Sequence, residues 1–137
     1  MNSLSQRLRA RKKAGQKLAT LTAYDYPMGR LLDGLSLDFL LVGDSLGMVI
    51  LGHPDTTSVT MADMEHHTAA VARGVTRTPL IADLPIHSID SPEEARKNAR
   101  RLITAGAHAV KTEGGRESLS AIQAILDDGI PVVGHLG

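Results

Sequence analysis

The chain has 137 residues, of which 42% are hydrophobic, 22% are charged and only 2% are aromatic, the balance of a globular domain with an aliphatic core. The formal net charge of zero and the scarcity of aromatic residues argue against a general polyanion binder and against a base-stacking surface for nucleic acid. Cysteine is absent, which excludes thiolate chemistry, and no apolar run approaches the roughly 20 residues that span a bilayer.

The chain begins with a basic segment, because six Arg and Lys residues precede the first acidic residue, Asp25. We predict a short solvated helix at about residues 3–14, since Leu4 and Leu8 lie one turn apart and can dock it. The alternative is an organelle transit peptide, which this composition weakly imitates.

Short apolar strands alternate with helices along the rest of the chain. Asp25, Thr60 and Ser91 stand where helix caps are expected, and a short extra strand is predicted at 57–60, after a loop at 43–54. The alternation predicts a parallel sheet with helical crossovers. It fits a doubly wound sheet or part of a (β/α)8 barrel, and a complete barrel typically needs ~250 residues. The predicted strands are 18–22, 39–42, 80–82, 109–112 and 132–133, and the predicted helices are about 26–32, 61–73, 92–105 and 117–126.

Acidic residues follow three of the predicted strands at the same end. Asp44 comes shortly after the second strand, Asp83 after the third and Glu113 after the fourth. Ligands bind at this end of parallel α/β sheets, and lone carboxylates are costly to bury there. Since Mg²⁺ prefers hard oxygen donors, we interpret the three as a shared cation site. The alternative is that each is a helix cap or a surface charge.

Lys111 and Ser45 stand beside these acids in the sequence. Lys111 precedes Glu113 by two residues, so both side chains point to one face of the strand. There Lys111 can pair with a substrate carboxylate as a point charge, or it can only neutralise Glu113. Ser45 follows Asp44 and can donate a hydrogen bond to an anion, or it can cap the loop.

The histidines and glycines carry weaker signals. His66 and His67 are adjacent on a helix and point in different directions, unlike a metal-binding pair. His135 follows the fifth strand and either faces the same site or makes a structural hydrogen bond. Segment 43–47 lacks the spacing of a dinucleotide fingerprint, and the sequence contains no phosphate-loop or serine-nucleophile motif.

A string of segments from about residue 20 to the last residue resembles the ketopantoate hydroxymethyltransferase family, in family order. The matching segments are Thr22-Ala23-Tyr24-Asp25-Tyr26, Val42-Gly43-Asp44-Ser45-Leu46-Gly47-Met48, Gly52-His53, Val59-Thr60, His67-Thr68-Ala69-Ala70-Val71, Ala82-Asp83-Leu84-Pro85, Ala105-Gly106-Ala107, Val110-Lys111, Glu113-Gly114-Gly115 and Gly134-His135-Leu136-Gly137. Such a string is far more specific than a shared fold.

The resemblance implies an α/β fold, a (β/α)8 TIM barrel, of which residues 1–137 cover about the first five β/α units. By family pattern, Asp44, Asp83 and Glu113 bind one Mg²⁺. Asp44, Ser45, Asp83 and Lys111 surround the α-keto acid substrate, 3-methyl-2-oxobutanoate.

The resemblance also implies the reaction and the setting. A hydroxymethyl group passes from 5,10-methylenetetrahydrofolate to the keto acid through a Mg²⁺-stabilised enolate, giving ketopantoate for pantothenate and coenzyme A synthesis. The general base of the family is a Glu expected beyond residue 137. The family assembles as a homo-oligomer, typically a decamer, in the bacterial cytoplasm, with no nucleic-acid or membrane partner.

Two alternatives remain beside this interpretation. The related phosphoenolpyruvate mutase and isocitrate lyase superfamily also holds Mg²⁺ and an α-keto acid with strand-end acids, although the first and last matching segments favour the transferase. A half-barrel that is inactive alone and needs a partner is the non-enzymatic alternative. We expect the 137-residue chain alone to be inactive, because the sheet edges of a cut barrel are open and the proton acceptor is missing.

Overall fold

The computed structural model describes residues 4–136; the predicted first residue of the basic helix and Gly137 lie outside the described residues. Strands and helices alternate from residue 20 onward, as predicted. The elements are α1 (Leu4–Lys13), β1 (Thr20–Thr22), α2 (Tyr26–Asp33), β2 (Phe39–Val42), α3 (Leu46–Val49), α4 (Met61–Gly74), β3 (Leu80–Asp83), α5 (Pro92–Thr104), β4 (Ala109–Glu113), a 3₁₀ turn (Arg116–Ser118), α6 (Leu119–Asp127) and β5 (Val132–His135).

The strands of residues 4–136 form one sheet in the order β1-β2-β3-β4-β5. Every neighbouring pair is parallel, with Leu40 beside Leu80 and Asp83 beside Lys111. A doubly wound sheet reverses its strand order at a switch point, whereas consecutive strands of a (β/α)8 barrel lie side by side. The order therefore selects the barrel, and residues 4–136 form four consecutive β/α units and the fifth strand of that fold.

The helices begin at the predicted capping residues. The Asp25 carboxylate accepts a hydrogen bond from Met28 N at 2.8 Å, and Thr60 forms a full capping box with Asp63. The Ser91 hydroxyl accepts from Glu94 N at 3.2 Å. Because these caps satisfy amide groups that a helix cannot satisfy itself, the starts of α2, α4 and α5 are fixed locally.

Three predictions in the part of the chain from β1 to α4 were wrong. β1 begins at Thr20 rather than at residue 18, and segment 57–60 contains no strand. The Asp55 carboxylate instead accepts hydrogen bonds from both the backbone N–H (2.9 Å) and the hydroxyl (2.5 Å) of Thr57, which curls this segment into a turn. The predicted loop at 43–54 also contains the short helix α3.

The core lies between the sheet and the helices on its outer face, and it is aliphatic, as the composition predicts. All of β3 is buried, whereas all of β1 is exposed, and β1 and β5 form the edges of the sheet that residues 4–136 build. None of the helices in these residues combines the length and the apolar character needed to cross a bilayer. The largest fully buried side chains are Leu40, Leu46, Met64, Leu80, Ile81, Leu102 and Ile125.

Helix α1 confirms the predicted basic helix for residues 4–13. It has no buried residue, and two of its arginines tie it to the sheet. Arg7 donates to the Asp38 carbonyl at 2.9 Å, and Arg11 pairs with the Asp38 carboxylate. That carboxylate also accepts a hydrogen bond from Ala19 N at 2.8 Å. Asp38, which directly precedes β2, therefore connects α1 to the residue before β1.

A second buried aspartate fastens α2 to the segment before β3. Asp33 is 7% exposed, and its carboxylate accepts from the backbone N–H groups of Thr76, Arg77 and Thr78 at 2.8–3.1 Å and from the Thr76 hydroxyl at 2.9 Å. Burial by itself raises the pKa of Asp33, but these hydrogen bonds outweigh it and hold the pKa well below its usual range.

We predict that Asp33→Asn lowers the free energy of unfolding by about 2–3 kcal/mol at neutral pH. Asn has only one acceptor oxygen, and its NH2 group is a donor that cannot accept hydrogen bonds from the backbone N–H groups it would face. Because the pKa of Asp33 is depressed in the folded state, its stabilisation is full above the unfolded-state pKa of about 3.9 and declines as the pH falls towards the lowered value. Urea unfolding of the complete barrel at several pH values measures this.

Asp25→Asn is the matched control, because Asn caps a helix about as well as Asp. The control should unfold with wild-type stability at neutral pH. The interpretation of Asp33 is contradicted if its variant matches that control, or if its deficit grows rather than shrinks below about pH 4.

Candidate functional site

The C-terminal ends of β2, β3 and β4 meet at one edge of the sheet, as the sequence predicts. Asp83 is the last residue of β3 and Glu113 the last residue of β4, while Asp44 lies two residues past β2. Backbone pairing places Lys111 directly beside Asp83. The Asp44 N–H donates to Asp83 Oδ2 at 3.2 Å, which joins the end of β2 to that of β3.

Asp83 and Lys111 form the charged centre of this edge. Lys111 Nζ lies 3.1 Å from Asp83 Oδ1, and the side chains are only 18% and 6% exposed respectively. Among the described residues, Asp83 Oδ1 has no well-directed hydrogen bond, so its contact with the ammonium is a close ion pair of poor angular geometry. The charge of Asp83 is therefore balanced mainly by Lys111.

Glu113 stands at the rim of the same group. Its Oε1 is 3.7 Å from Lys111 Nζ and 4.0 Å from His135 Nδ1, and its side chain is 65% exposed. The interpretation that Lys111 only neutralises Glu113 is wrong, because the buried Asp83 is the nearer partner. His135 faces this edge beside Glu113, which is the first of the two alternatives that the sequence left open for it.

Burial raises the pKa of both inner carboxylates. For Asp83 the loss of water is the largest effect, opposed by the ammonium of Lys111 and by the Asp44 N–H. For Asp44 burial again comes first, opposed by Lys111 and reinforced by the negative charge of Glu113. Burial therefore makes the charged forms of both carboxylates less favourable despite the ammonium of Lys111, and a further cation or a polar ligand would offset this.

Ser45 lies at the same edge, and its hydroxyl meets a residue that the sequence analysis did not single out. The Tyr24 hydroxyl, two residues past β1, is 2.8 Å from Ser45 Oγ. The signal that could have identified Tyr24 is its position after a strand, which matches the position of Asp44 after β2. A Cβ atom on Gly43 would come within 2.8 Å of Ser45 Oγ, so glycine leaves room for that hydroxyl.

An open cleft of about 330 Å³ adjoins the carboxylates. Its lining includes Asp44 and Glu113 and the apolar side chains of Leu84, Ile86 and Ile89, which belong to the segment between β3 and α5. A cleft with an apolar wall and a few convergent charged groups is typical of a small-molecule site.

The other histidines of the described residues form no ion pair with these carboxylates, although His87 lines the cleft together with Asp44 and Glu113. His67 Nδ1 is 2.6 Å from the Tyr24 carbonyl oxygen, while its neighbour His66 is exposed, and the two rings meet edge-on with their centroids 5.3 Å apart. His108 Nδ1 accepts from Leu80 N at 3.1 Å, at the start of β3 and far from its C-terminal end. His87 pairs with Asp90 at 3.2 Å on an exposed loop.

The donor chemistry of the edge fits Mg²⁺, although its present geometry is not a finished metal centre. The oxygen donors are carboxylates whose raised pKa values and one poorly bonded atom, Asp83 Oδ1, indicate a demand for positive charge. Within residues 4–136, however, no three acidic or imidazole side chains lie close enough together to hold a metal ion as they stand.

The fold is shared with solved enzyme structures. A crystal structure of phosphonopyruvate hydrolase in complex with oxalate and Mg²⁺ matches 97% of this chain and 52% of its own, with a TM-score of 0.74 and 18% identity. A 2,3-dimethylmalate lyase, described as a member of the PEP mutase/isocitrate lyase superfamily, matches 98% and 53%, with a TM-score of 0.66 and 19% identity. The chain thus has the half-barrel fold of this class of enzymes.

The sequence comparison is more specific. The family model for ketopantoate hydroxymethyltransferase matches residues 3–137, and the chain belongs to that family. A 3-methyl-2-oxobutanoate hydroxymethyltransferase of Thermoanaerobacter sp. (strain X514) is 57% identical over 132 residues, which are 95% of this chain and 48% of the relative. The chain spans about half the length of the curated relatives it matches.

We predict that Lys111→Met destabilises the metal-free complete barrel by about 3 kcal/mol at neutral pH, because it leaves the buried Asp83 carboxylate without its cation. Adding Asp83→Asn should restore most of the loss, since the charge is then gone. Urea unfolding of the two single variants and the double variant gives the coupling energy.

Lys97→Met on the exposed face of α5 is the matched control and should change stability by less than about 0.5 kcal/mol. Additive effects of Lys111→Met and Asp83→Asn would contradict the ion pair.

Proposed function

We propose that this chain supplies the cation- and substrate-binding half of a 3-methyl-2-oxobutanoate hydroxymethyltransferase. The reaction joins the one-carbon group of 5,10-methylenetetrahydrofolate to C3 of 3-methyl-2-oxobutanoate and, with one water, yields ketopantoate and tetrahydrofolate. The observation that carries the proposal is the buried Asp83–Lys111 pair at the C-terminal edge of the sheet, in a chain of this family.

Asp44, Asp83 and Glu113 are the proposed Mg²⁺-binding residues. Support comes from their oxygen donors, their shared edge and the raised pKa values of the first two. Mg²⁺, when bound, would withdraw electron density from the keto group of the substrate and so make its C3 proton more acidic.

Lys111 and Ser45 are proposed to hold the keto acid, together with Asp44 and Asp83. Among the described residues, Lys111 offers the ammonium group that is paired with the buried Asp83, and it can offset the negative charge of the substrate carboxylate. The Ser45 hydroxyl can donate one hydrogen bond to a substrate oxygen. The apolar side chains that line the adjoining cleft suit the two methyl groups of the substrate.

The remaining requirements of the reaction are expected from the rest of a complete barrel. The family's general base is a Glu beyond residue 137, which would take the C3 proton. The exposed β1 edge, with Leu21 47% exposed, is the surface that further strands would cover. We therefore propose that this chain alone is catalytically inactive and incomplete as a fold.

The setting of the protein is also a proposal. A homo-oligomer, a decamer by family resemblance, would act in the cytoplasm without a nucleic-acid or membrane partner. The segment from Met48 to Leu51 offers four consecutive apolar side chains between 39% and 64% exposed, a surface that subunit contacts can bury.

The phosphoenolpyruvate mutase and isocitrate lyase activities are less well supported. The solved structures of that class share the fold at 18–21% identity, a level that leaves chemistry open. The transferase interpretation rests instead on a family model and on relatives more than half identical in sequence.

We predict that Asp83→Asn weakens Mg²⁺ binding by about tenfold or more, because it removes an anionic oxygen donor that Mg²⁺ prefers. Its effect on the stability of the metal-free protein should be smaller, since burial already disfavours the charged form of Asp83. Isothermal calorimetry with Mg²⁺ and urea unfolding without metal measure the two effects on the complete barrel.

Asp90→Asn is the control, because the Asp90 side chain is 61% exposed beside His87. It should bind Mg²⁺ with wild-type affinity. Unchanged Mg²⁺ affinity in Asp83→Asn would remove this residue from the metal site.

The activity itself is tested by turnover with 3-methyl-2-oxobutanoate, 5,10-methylenetetrahydrofolate and Mg²⁺. We expect no ketopantoate from the 137-residue chain alone and turnover when a polypeptide with β/α units six to eight completes the barrel. Family-like turnover by a cooperatively folded monomer of this chain would contradict the proposed incompleteness. A complete barrel that is folded and binds Mg²⁺ but forms no ketopantoate would contradict the proposed reaction.

A further inference from the structure

Tyr24 lies at the end of β1, at the same edge of the sheet as the carboxylates and Lys111. Its side chain is half-buried, and its hydroxyl oxygen is 2.8 Å from Ser45 Oγ. Through this contact a residue after β1 reaches a residue after β2. Tyr26, two positions further on, is by contrast exposed and accepts from Arg30 at 2.9 Å on the surface of α2.

The surroundings of Ser45 restrict where its hydroxyl can point. Ser45 Oγ lies so close to the Gly43 backbone that a Cβ atom there would be 2.8 Å away. A serine side chain has three staggered rotamers, and the hydrogen bond with Tyr24 favours the one that lies over Gly43. The glycine therefore leaves room for the hydroxyl position that the hydrogen bond with Tyr24 favours.

The Tyr24 backbone is also fixed by a hydrogen bond from a residue of α4. His67 Nδ1 is 2.6 Å from the Tyr24 carbonyl oxygen, and a carbonyl can only accept, so the proton of this bond belongs to His67 Nδ1. The Tyr24 backbone is thus anchored to a helix that packs on the sheet. A fixed backbone and a half-buried ring leave the Tyr24 hydroxyl little freedom to move away from Ser45.

The direction of the hydrogen bond decides what Ser45 can do for a ligand. A serine hydroxyl has one proton and can accept at the same time. If Ser45 donates to Tyr24, no proton is left for a ligand. If Tyr24 donates, the Ser45 proton is free, and accepting a bond makes the hydroxyl a stronger donor. An α-keto acid anion presents only acceptor oxygens at its carboxylate and keto groups, so it stabilises the second arrangement.

We propose that Tyr24 is a positioning residue for substrate binding. Its hydroxyl donates to Ser45 Oγ, fixes the Ser45 rotamer and turns the Ser45 proton towards an oxygen of the bound keto acid. Tyr24 acts through Ser45 and not through the metal-binding carboxylates. This inference rests on the proposed function, because it assigns the ligand of Ser45 to the α-keto acid substrate.

The test is a double-mutant cycle in the complete barrel, with Tyr24→Phe, Ser45→Ala and both together. Calorimetry measures the affinity for 3-methyl-2-oxobutanoate at saturating Mg²⁺, and separately the affinity for Mg²⁺ alone. Tyr24→Phe should weaken keto-acid binding about three- to tenfold, the range expected for one hydrogen bond, and should leave the Mg²⁺ affinity unchanged. In the Ser45→Ala background, Tyr24→Phe should cause no further loss.

Two other variants sharpen this test. Tyr26→Phe removes an exposed phenol hydroxyl near by and should bind the keto acid like the wild type. Gly43→Ala should weaken keto-acid binding without altering Tyr24, because the added Cβ displaces the Ser45 hydroxyl. Thermal unfolding of each variant shows that it folds before its affinity is compared.

The outcomes separate the inference from the function on which it rests. Wild-type affinity in Tyr24→Phe, or losses from Tyr24→Phe and Ser45→Ala that simply add, would overturn the positioning role while leaving the proposed function intact. Failure of the folded wild-type barrel to bind the keto acid would overturn both.

Discussion

The contact between the Asp83 carboxylate and the Lys111 ammonium is the interaction on which the candidate site depends. Two adjacent parallel strands bring the residues side by side, and burial leaves them little water. An ion pair of this kind adds little to stability, because desolvation offsets the Coulomb attraction. It does, however, place two opposite charges in a buried position at the edge where the strands end.

At the opposite, N-terminal end of the sheet, the carboxylate of Asp33 has a structural role. Asp33 is as buried as Asp83 but receives hydrogen bonds from three consecutive backbone N–H groups, and its pKa is lowered. Asp83 receives one backbone hydrogen bond, and its pKa is raised. The contrast agrees with the general division of (β/α)8 barrels, in which the N-terminal face serves stability and the C-terminal face serves chemistry.

Much of this arrangement could be predicted from the sequence, because its determinants are local. The apolar runs of β2 and β3 and the caps at Thr60 and Ser91 are readable from a few neighbouring residues. The common placement of the strand-end acids follows once the strands are parallel. The short helix α3 and the turn at Asp55 escaped prediction because a single side-chain hydrogen bond or one helical turn decides them.

Contacts between distant parts of the chain could not be predicted in the same way. The choice of Asp83 over Glu113 as the nearer partner of Lys111 depends on the register of β3 against β4. The contact between Tyr24 and Ser45 joins residues 21 positions apart, and no pattern of sequence spacing predicts it. Sequence reasoning therefore identified which chemical groups reach the site, while the structure was needed to show which of them touch.

The central claim is that one edge of the sheet binds a divalent cation and an α-keto acid together. Calorimetric titration of the complete barrel with Mg²⁺, with and without 3-methyl-2-oxobutanoate, tests it most directly. If the two ligands share the site, the keto acid should strengthen Mg²⁺ binding, and Mg²⁺ should strengthen keto-acid binding by the same factor. Mg²⁺ affinity that does not change when the keto acid is added would contradict the account.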